Sequence, residues 1–212
     1  MLKRNQQGMT LVELMIAMGM GLVVILAATT LFSATVGASS ISTRMTVLRS
    51  DLNAIANLIA SDVRRTGYSA NASNNFGKPA CTSDYETNCP FVFKPDRDLS
   101  ASNNCIIARM DANDDGVLDI NTNEVRGYVF DNGIIYQMTS FTGTPACDGT
   151  YTRESLSWQT DLTISNLTFT YLSGAASSGI RSINISVSGY SGATPELTMT
   201  LNQEVRLRND DI

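Results

Sequence analysis

From Leu14 to Thr43 the chain carries no charged side chain. That stretch outruns the roughly 20 residues a helix needs to cross the hydrocarbon core of a bilayer. It is long enough to span a membrane. Before it come Glu13 and a short leader, residues 1–8, whose charges are Lys3 and Arg4. A basic flank of this sort stays on the cytoplasmic side. A secretory signal has an apolar region of about 7–15 residues followed by a small-residue cleavage site, which is shorter than this run. A plain anchor fits the length and leaves Glu13 unexplained. An acid in an inserting helix costs about 2.5–3.5 kcal/mol at the centre and less near the end. Glu13 either rests at the headgroup level or meets a cation.

The rest of the chain narrows the chemistry. It has 212 residues, a net charge of −5 and no histidine. Length allows one ordinary domain plus an extension. Acidity argues against a basic stripe for nucleic acid. Lack of histidine removes the usual triads, Cys–His dyads and His-ligated zinc. No serine sits in G-x-S-x-G or S-x-x-K, and no glycine-rich phosphate loop occurs. The acid pairs Asp84/Glu86 and Asp96/Asp98 read as solvated loops, and Trp158, Phe91, Phe93, Phe130 and Phe169 read as core. Nothing here points to an enzyme.

The helix is expected to continue past the membrane segment, since no proline precedes Pro79. Leu48, Leu52, Ile55, Ile59 and Val63 recur at spacings of three and four and form one helical stripe. Arg44, Arg49, Asp51, Asp62 and Arg64 are placed largely off that stripe. Gly67 is the expected stop. A helix from Met9 to Thr66 would be roughly 85 Å long; Gly19, Gly21 and Gly37 are its weak points. Tyr68 to Asn104 reads as loop, with a short strand at Phe91–Phe93. Strands are expected at Ile106–Met110, Val125–Phe130, Ile134–Met138, Ser155–Trp158, around Leu167–Tyr171 and Ile183–Val187, and from Leu197 to Leu207. Asp131-Asn132-Gly133 is a hairpin signal, and Gly189–Pro195 should join the last two strands. Alternation puts one sheet face in the core, most simply against the helix stripe, and leaves the other wet. The fold class is α+β: one long helix packed on an antiparallel sheet.

Two further groups of residues stand out. Asp111-Ala112-Asn113-Asp114-Asp115-Gly116-Val117-Leu118-Asp119 matches D-x-N-x-D-G-x-x-D. Oxygen donors at alternate positions with a glycine for the sharp turn suit calcium. The expected ligands are the side chains of Asp111, Asn113, Asp115 and Asp119 and the carbonyl of Val117. Thr122 stands where an EF-hand has its glutamate, and Glu124 falls two residues late. The competing reading is an Asx-rich turn without an ion. The four cysteines are Cys81, Cys89, Cys105 and Cys147, none in a CxxC pair, which suits two disulfides in an oxidising compartment. Four cysteines allow three connectivities. The chain-local one pairs Cys81 with Cys89 and Cys105 with Cys147.

Gly8-Met9-Thr10-Leu11-Val12-Glu13-Leu14 resembles the class III signal of type IV pilins and pseudopilins. The resemblance implies a type IV pilin-like fold and cleavage by a prepilin peptidase between Gly8 and Met9. It implies methylation of the new N-terminal Met9, where the family usually has Phe. It makes Glu13 the assembly acid that pairs with a neighbour's terminal amine. On that plan residues 1–8 are a cleaved leader, 9–43 the transmembrane polymerisation helix, 44–67 its amphipathic continuation, and 68–212 a disulfide-bearing sheet domain. Beyond the helix, Asp62-Val63-Arg64-Arg65-Thr66-Gly67-Tyr68 and the Asp/Asn-rich turn are similar to PilW-type minor pilins and, next, to J-type pseudopilins of type II secretion. The resemblance implies a tip complex that primes pilus assembly for adhesion, twitching motility or DNA uptake. Its partners would be other minor pilins, the major pilin and the inner-membrane assembly platform. The head would be periplasmic at first and at the pilus tip or cell surface later. A type II secretion pseudopilin is one alternative. A membrane-anchored extracytoplasmic adhesin or ligand-binding module is another, and it predicts function without leader cleavage.

Overall fold

The computed structural model describes residues 8–70, 99–102, 104–116, 118–120, 122–143, 145–157, 162–171 and 182–206. Cys81, Cys89, Phe91–Phe93, Val117, Trp158 and Leu207 lie outside the described residues. The chain forms two compact units, Met1–Thr46 and Val47–Ile212. A single helix, α1 (Leu11–Arg65), contributes to both. Gly19, Gly21 and Gly37 do not interrupt it, although each disfavours a helix by about 1 kcal/mol relative to alanine.

In the first unit α1 is apolar on all sides, and its 18-residue membrane-length window is 0% buried. Met15, Met18, Leu22, Ile25 and Phe32 all stand exposed. A helix that is hydrophobic all round belongs in lipid or among other helices.

In the second unit the expected stripe closes. Leu48, Leu52, Ile55, Ile59 and Val63 are buried, and Ala56 and Ala60 join them. The two alanines let the backbone of α1 come close to what it covers. The helix ends at Arg65 and is capped by Gly67, whose φ of 78° is the left-handed conformation that a C-terminal cap requires. The Tyr68 N–H donates to the Arg65 carbonyl at 3.0 Å, and the Gly67 N–H donates to the Arg109 carbonyl at 2.9 Å. The second bond ties the helix exit to the sheet.

Among the described residues eight strands follow: β1 (Leu99–Ser102), β2 (Cys105–Arg109), β3 (Val125–Asp131), β4 (Ile134–Thr142), β5 (Thr150–Ser155), β6 (Leu162–Tyr171), β7 (Ser182–Ser191) and β8 (Thr194–Arg206). They form two antiparallel sheets, β1-β2-β3-β4-β5 and β6-β7-β8. The expectation of one sheet is corrected here: both stretches alternate with the same period, and alternation does not say which strands pair. The candidate strand at Ser155–Trp158 is corrected as well. The strand is β5, which ends at Ser155 and has mostly exposed side chains, so it carries no apolar signal. The β3–β4 hairpin turns through Asn132 (φ 50°) and Gly133 (φ 84°), as its Asn-Gly signal foretells. The β7–β8 hairpin is tighter than expected, with Ser191 paired to Thr194 across Gly192-Ala193. Pro195 sits in β8, an edge strand, where a missing N–H is tolerated.

Helix α1 touches both sheets. Gly189 of β7 has no side chain, and the Leu52 side chain fills the space beside it. Asp62 reaches β3. It is 3% exposed rather than off the buried face. The Tyr128 hydroxyl donates to its Oδ2 at 2.6 Å, and Arg126 Nη1 lies 3.2 Å from its Oδ1. A buried carboxylate is tolerable only when its oxygens find such donors. Burial first, and the Asp62 charge next, push the Tyr128 phenol far above its ordinary range, so it stays a donor.

The other face of the larger sheet is not wet, contrary to expectation. Strand β2 is buried at every position. Ile106 pairs with Tyr128 on the helix side, so Cys105 and Ile107 point away from the helix. They pack with Val125, Val129, Met138 and Phe141 in a second cluster, covered by Leu118, Ile120, Tyr136, Cys147 and Tyr151. Among the described residues, Leu118, Ile120 and Cys147 close this side from loops, and Tyr136 and Tyr151 from β4 and β5.

Candidate functional site: the helix start and the acidic loop

At the helix start, Gly8, Met9 and Thr10 precede the first helical residue, Leu11. Thr10 is the N-cap. Its Oγ1 accepts the Glu13 N–H at 3.3 Å, and its carbonyl accepts the Leu14 N–H at 3.2 Å. Glu13 lies in the first turn, where the helix dipole favours an anion. Thr10-x-x-Glu13 thus has the spacing of a capping box. That signal was present in the sequence beside the prepilin motif. Glu13 is exposed and accessible to a second chain. A cleavage between Gly8 and Met9 would put the new terminal amine just outside the helix that Glu13 opens.

The second site forms where β2 ends. Asp111 is 0% exposed. Its N–H donates to the Tyr68 carbonyl at 2.8 Å. Its Oδ2 accepts the N–H groups of Gly116 (2.9 Å) and Ala70 (3.0 Å). Its Oδ1 is buried and has no hydrogen-bond partner. Leaving such an oxygen unmatched costs about 1–3 kcal/mol, and more for a charged group. Gly116 (φ 80°) supplies the turn that brings the loop back over Asp111. Asn113 Oδ1 accepts the Asp115 N–H at 3.0 Å, and Asn113 Nδ2 donates to Asp115 Oδ2 at 2.9 Å.

The third carboxylate is Glu124, which the sequence pattern left out. The Thr122 N–H donates to the Asp119 carbonyl at 3.3 Å, and this turn folds the chain back. Glu124 then lies buried, 1% exposed, with Oε2 accepting the Asp119 N–H at 2.6 Å and Oε1 accepting the Ala112 N–H at 3.3 Å. Among the described residues, carboxylate oxygens of Asp111, Asp115 and Glu124 lie within 4.8 Å of one another. The expected set is corrected accordingly. Asp119 is exposed and gives Glu124 its N–H, and its carboxylate is not in that group. Carboxylates this close repel one another, and the exposure of Asp115 to water keeps that repulsion modest. Burial foremost raises the Glu124 carboxyl above its usual range; the three backbone N–H groups of Asp119, Asn113 and Ala112 pull it down, and the Asp115 charge pushes it up. A divalent cation would fit the unmatched Asp111 oxygen and relieve the repulsion.

Cys105 is bonded to Cys147, the second pair of the chain-local connectivity. The bond closes a loop of 42 residues in sequence separation around the acidic loop and the β3–β4 hairpin.

A membrane-length apolar helix that caps with an acid and then turns into the spine of an α+β head defines a type IV pilin-like prepilin. The chain matches the prokaryotic N-terminal methylation motif over residues 3–29. Over residues 42–207 it matches the family described as prepilin peptidase-dependent protein B. That match takes in the helix spine and nearly the whole head, and the chain belongs to this family. No curated protein and no solved structure matches it.

Proposed function

We propose that this chain is a minor pilin of a type IV pilus, working in a complex that primes assembly and occupies the fibre tip. The observation that carries the reading is the first half of α1. It is apolar on every side, exposed along its length and opened by a lone acid within a methylation-motif match. Surface of that kind needs lipid before assembly and neighbouring helices after it. Prepilin peptidase would cut after Gly8, Met9 would be methylated, and Glu13 would take the amine of an adjacent subunit. In lipid each charge relieves the other's desolvation, and the pair sets the stagger. The work is packing rather than turnover. The head starts in the periplasm and presents its sheets to other minor pilins.

Mass spectrometry of the mature chain tests the first step, with a methylated Met9 at the N-terminus expected. An intact Met1 would support the plain anchored adhesin instead. Glu13→Ala should still insert in the membrane but enter fibres at least tenfold less, by analogy with the loss of a partner from a buried charge pair (about 3–5 kcal/mol). Normal incorporation would contradict the role given to Glu13. Co-purification with secretion components rather than pilins would move the same subunit to a type II secretion pseudopilus.

A further inference from the structure

We propose that Asp111, Asp115 and Glu124 bind one calcium ion, and that this ion locks the exit of α1 to the β2–β3 connection. The inference stands apart from the pilus reading, because it concerns the head alone.

The buried, unpartnered Oδ1 of Asp111 carries the argument. Its sister oxygen already takes two N–H donors, and the side chain is fully buried. An oxygen in that position needs a donor or a cation. One carboxylate oxygen from each of Asp111, Asp115 and Glu124 lies within 4.8 Å of the other two. Calcium holds oxygens at about 2.3–2.6 Å, so its shell is about 4.6–5.2 Å across. Magnesium holds them at about 2.0–2.1 Å in a strict octahedron about 4.0–4.2 Å across. Oxygens within 4.8 Å of one another fit inside a calcium shell, and calcium accepts irregular geometry that magnesium resists. The donors are hard oxygens, with no nitrogen or sulfur ligand in the cluster, which disfavours zinc and copper. Asn113 adds a carboxamide beside Asp115.

The site differs from an EF-hand in one respect that sequence spacing obscured. The last acid arrives from Glu124, after the turn at Asp119–Thr122, and not from the twelfth position. Its position also suggests what the ion does. Asp111 is held by Tyr68 and Ala70, just beyond the helix cap at Gly67. Glu124 is held by Ala112 and Asp119 and leads directly into β3. An ion shared by Asp111 and Glu124 joins the end of the helix to both strands of the sheet centre.

Equilibrium dialysis of the full chain in detergent micelles against radiolabelled calcium tests this directly, with melting temperature as a second reading. The expected result is one saturable ion per chain with Kd on the order of 10⁻⁴–10⁻³ M, the range of extracellular modules. Calcium should raise the melting temperature over chelator, and magnesium should do so less. Asp115→Asn changes an exposed residue and leaves the fold in place; it should weaken binding at least about tenfold, as should Glu124→Gln, because affinity follows ligand charge. Asp119→Asn should stay within about twofold of the parent by the same logic. Absence of saturable calcium binding by the unaltered chain overturns the proposal. So does an equal response to magnesium, or a loss in Asp119→Asn as large as in Glu124→Gln.

Discussion

The two halves of α1 are one continuous helix with opposite surfaces. Up to Thr46 every large apolar side chain from Met9 to Ile41 stands exposed; from Leu48 onward a stripe of them vanishes into the head. Backbone geometry is the same in both. The difference lies in what polar residues interrupt the pattern. Between Glu13 and Arg44 the first half carries no charge, so no face of that stretch is marked as outer. The second half carries Arg49, Asp51, Arg64 and Arg65 on its wet side, so the apolar stripe is defined and the sheets can cover it. One half therefore needs partners outside the chain, and the other supplies the chain's own core.

That contrast breaks most easily at Asp62. Asp62→Ala removes the acceptor for both Tyr128 and Arg126 and leaves a buried hydroxyl and a half-buried guanidinium unmatched. The expected loss of head stability is about 3–5 kcal/mol, read as a fall in melting temperature of the full chain in micelles. Asp51→Ala, on the same helix with a partly exposed side chain, should lose no more than about 0.5 kcal/mol. Equal losses would mean that the Asp62 network does not hold the helix to β3.

Leucines sharpen the same comparison. Leu52 is 0% exposed and packs beside Gly189, so Leu52→Ala should cost about 2–5 kcal/mol. Leu22→Ala, in the exposed half, should leave the head's melting temperature unchanged and weaken only assembly. A matching drop at Leu22 would show that the first half is packed within the chain after all.

The pattern of what was readable follows from these physics. The stripe, the Gly67 stop and the Asn-Gly hairpin rest on local periodicity and backbone conformation, which sequence displays directly. Asp62 sits one residue before Val63 at the border of the stripe, and its charge alone placed it outside; only the Tyr128 and Arg126 donors, more than sixty positions away, make the inside affordable. Pairing into two sheets depends on partners that alternation cannot name. In the acidic loop, Asp111, Asn113 and Asp115 were legible as a local motif. Glu124 was not, because the Asp119–Thr122 turn alters the count between ligands.

Tyr128 gives a smaller, pH-dependent effect. An unfolded tyrosine ionises near pH 10, and in the head burial and Asp62 hold the phenol protonated well above that. Above pH 10 the unfolded chain then binds fewer protons than the folded one, so stability falls as pH rises, by about 1.4 kcal/mol per unit for this one group. Tyr128→Phe should remove that slope. It also gives up the 2.6 Å bond to Asp62, at a cost of about 1.5–3 kcal/mol near neutral pH for a hydrogen bond to a charged group. A slope unchanged in the variant would place the alkaline transition elsewhere.

The least disruptive substitution separates two roles that overlap at the start of the exposed half. Glu13 is both the acid of the first helical turn and the acid assigned to assembly. Thr10→Ala removes the Thr10 Oγ1 acceptor for the Glu13 N–H but keeps the carboxylate. Loss of an N-cap costs about 0.5–2 kcal/mol of helix stability; near a membrane that amounts to fraying of the first turn. If Glu13 works by charge, Thr10→Ala should enter fibres at close to the parent level while Glu13→Ala does not, measured as subunit per fibre mass by immunoblot. If the two variants fail equally, the helix start matters as a cap and the exposed half recognises its neighbours by apolar surface alone.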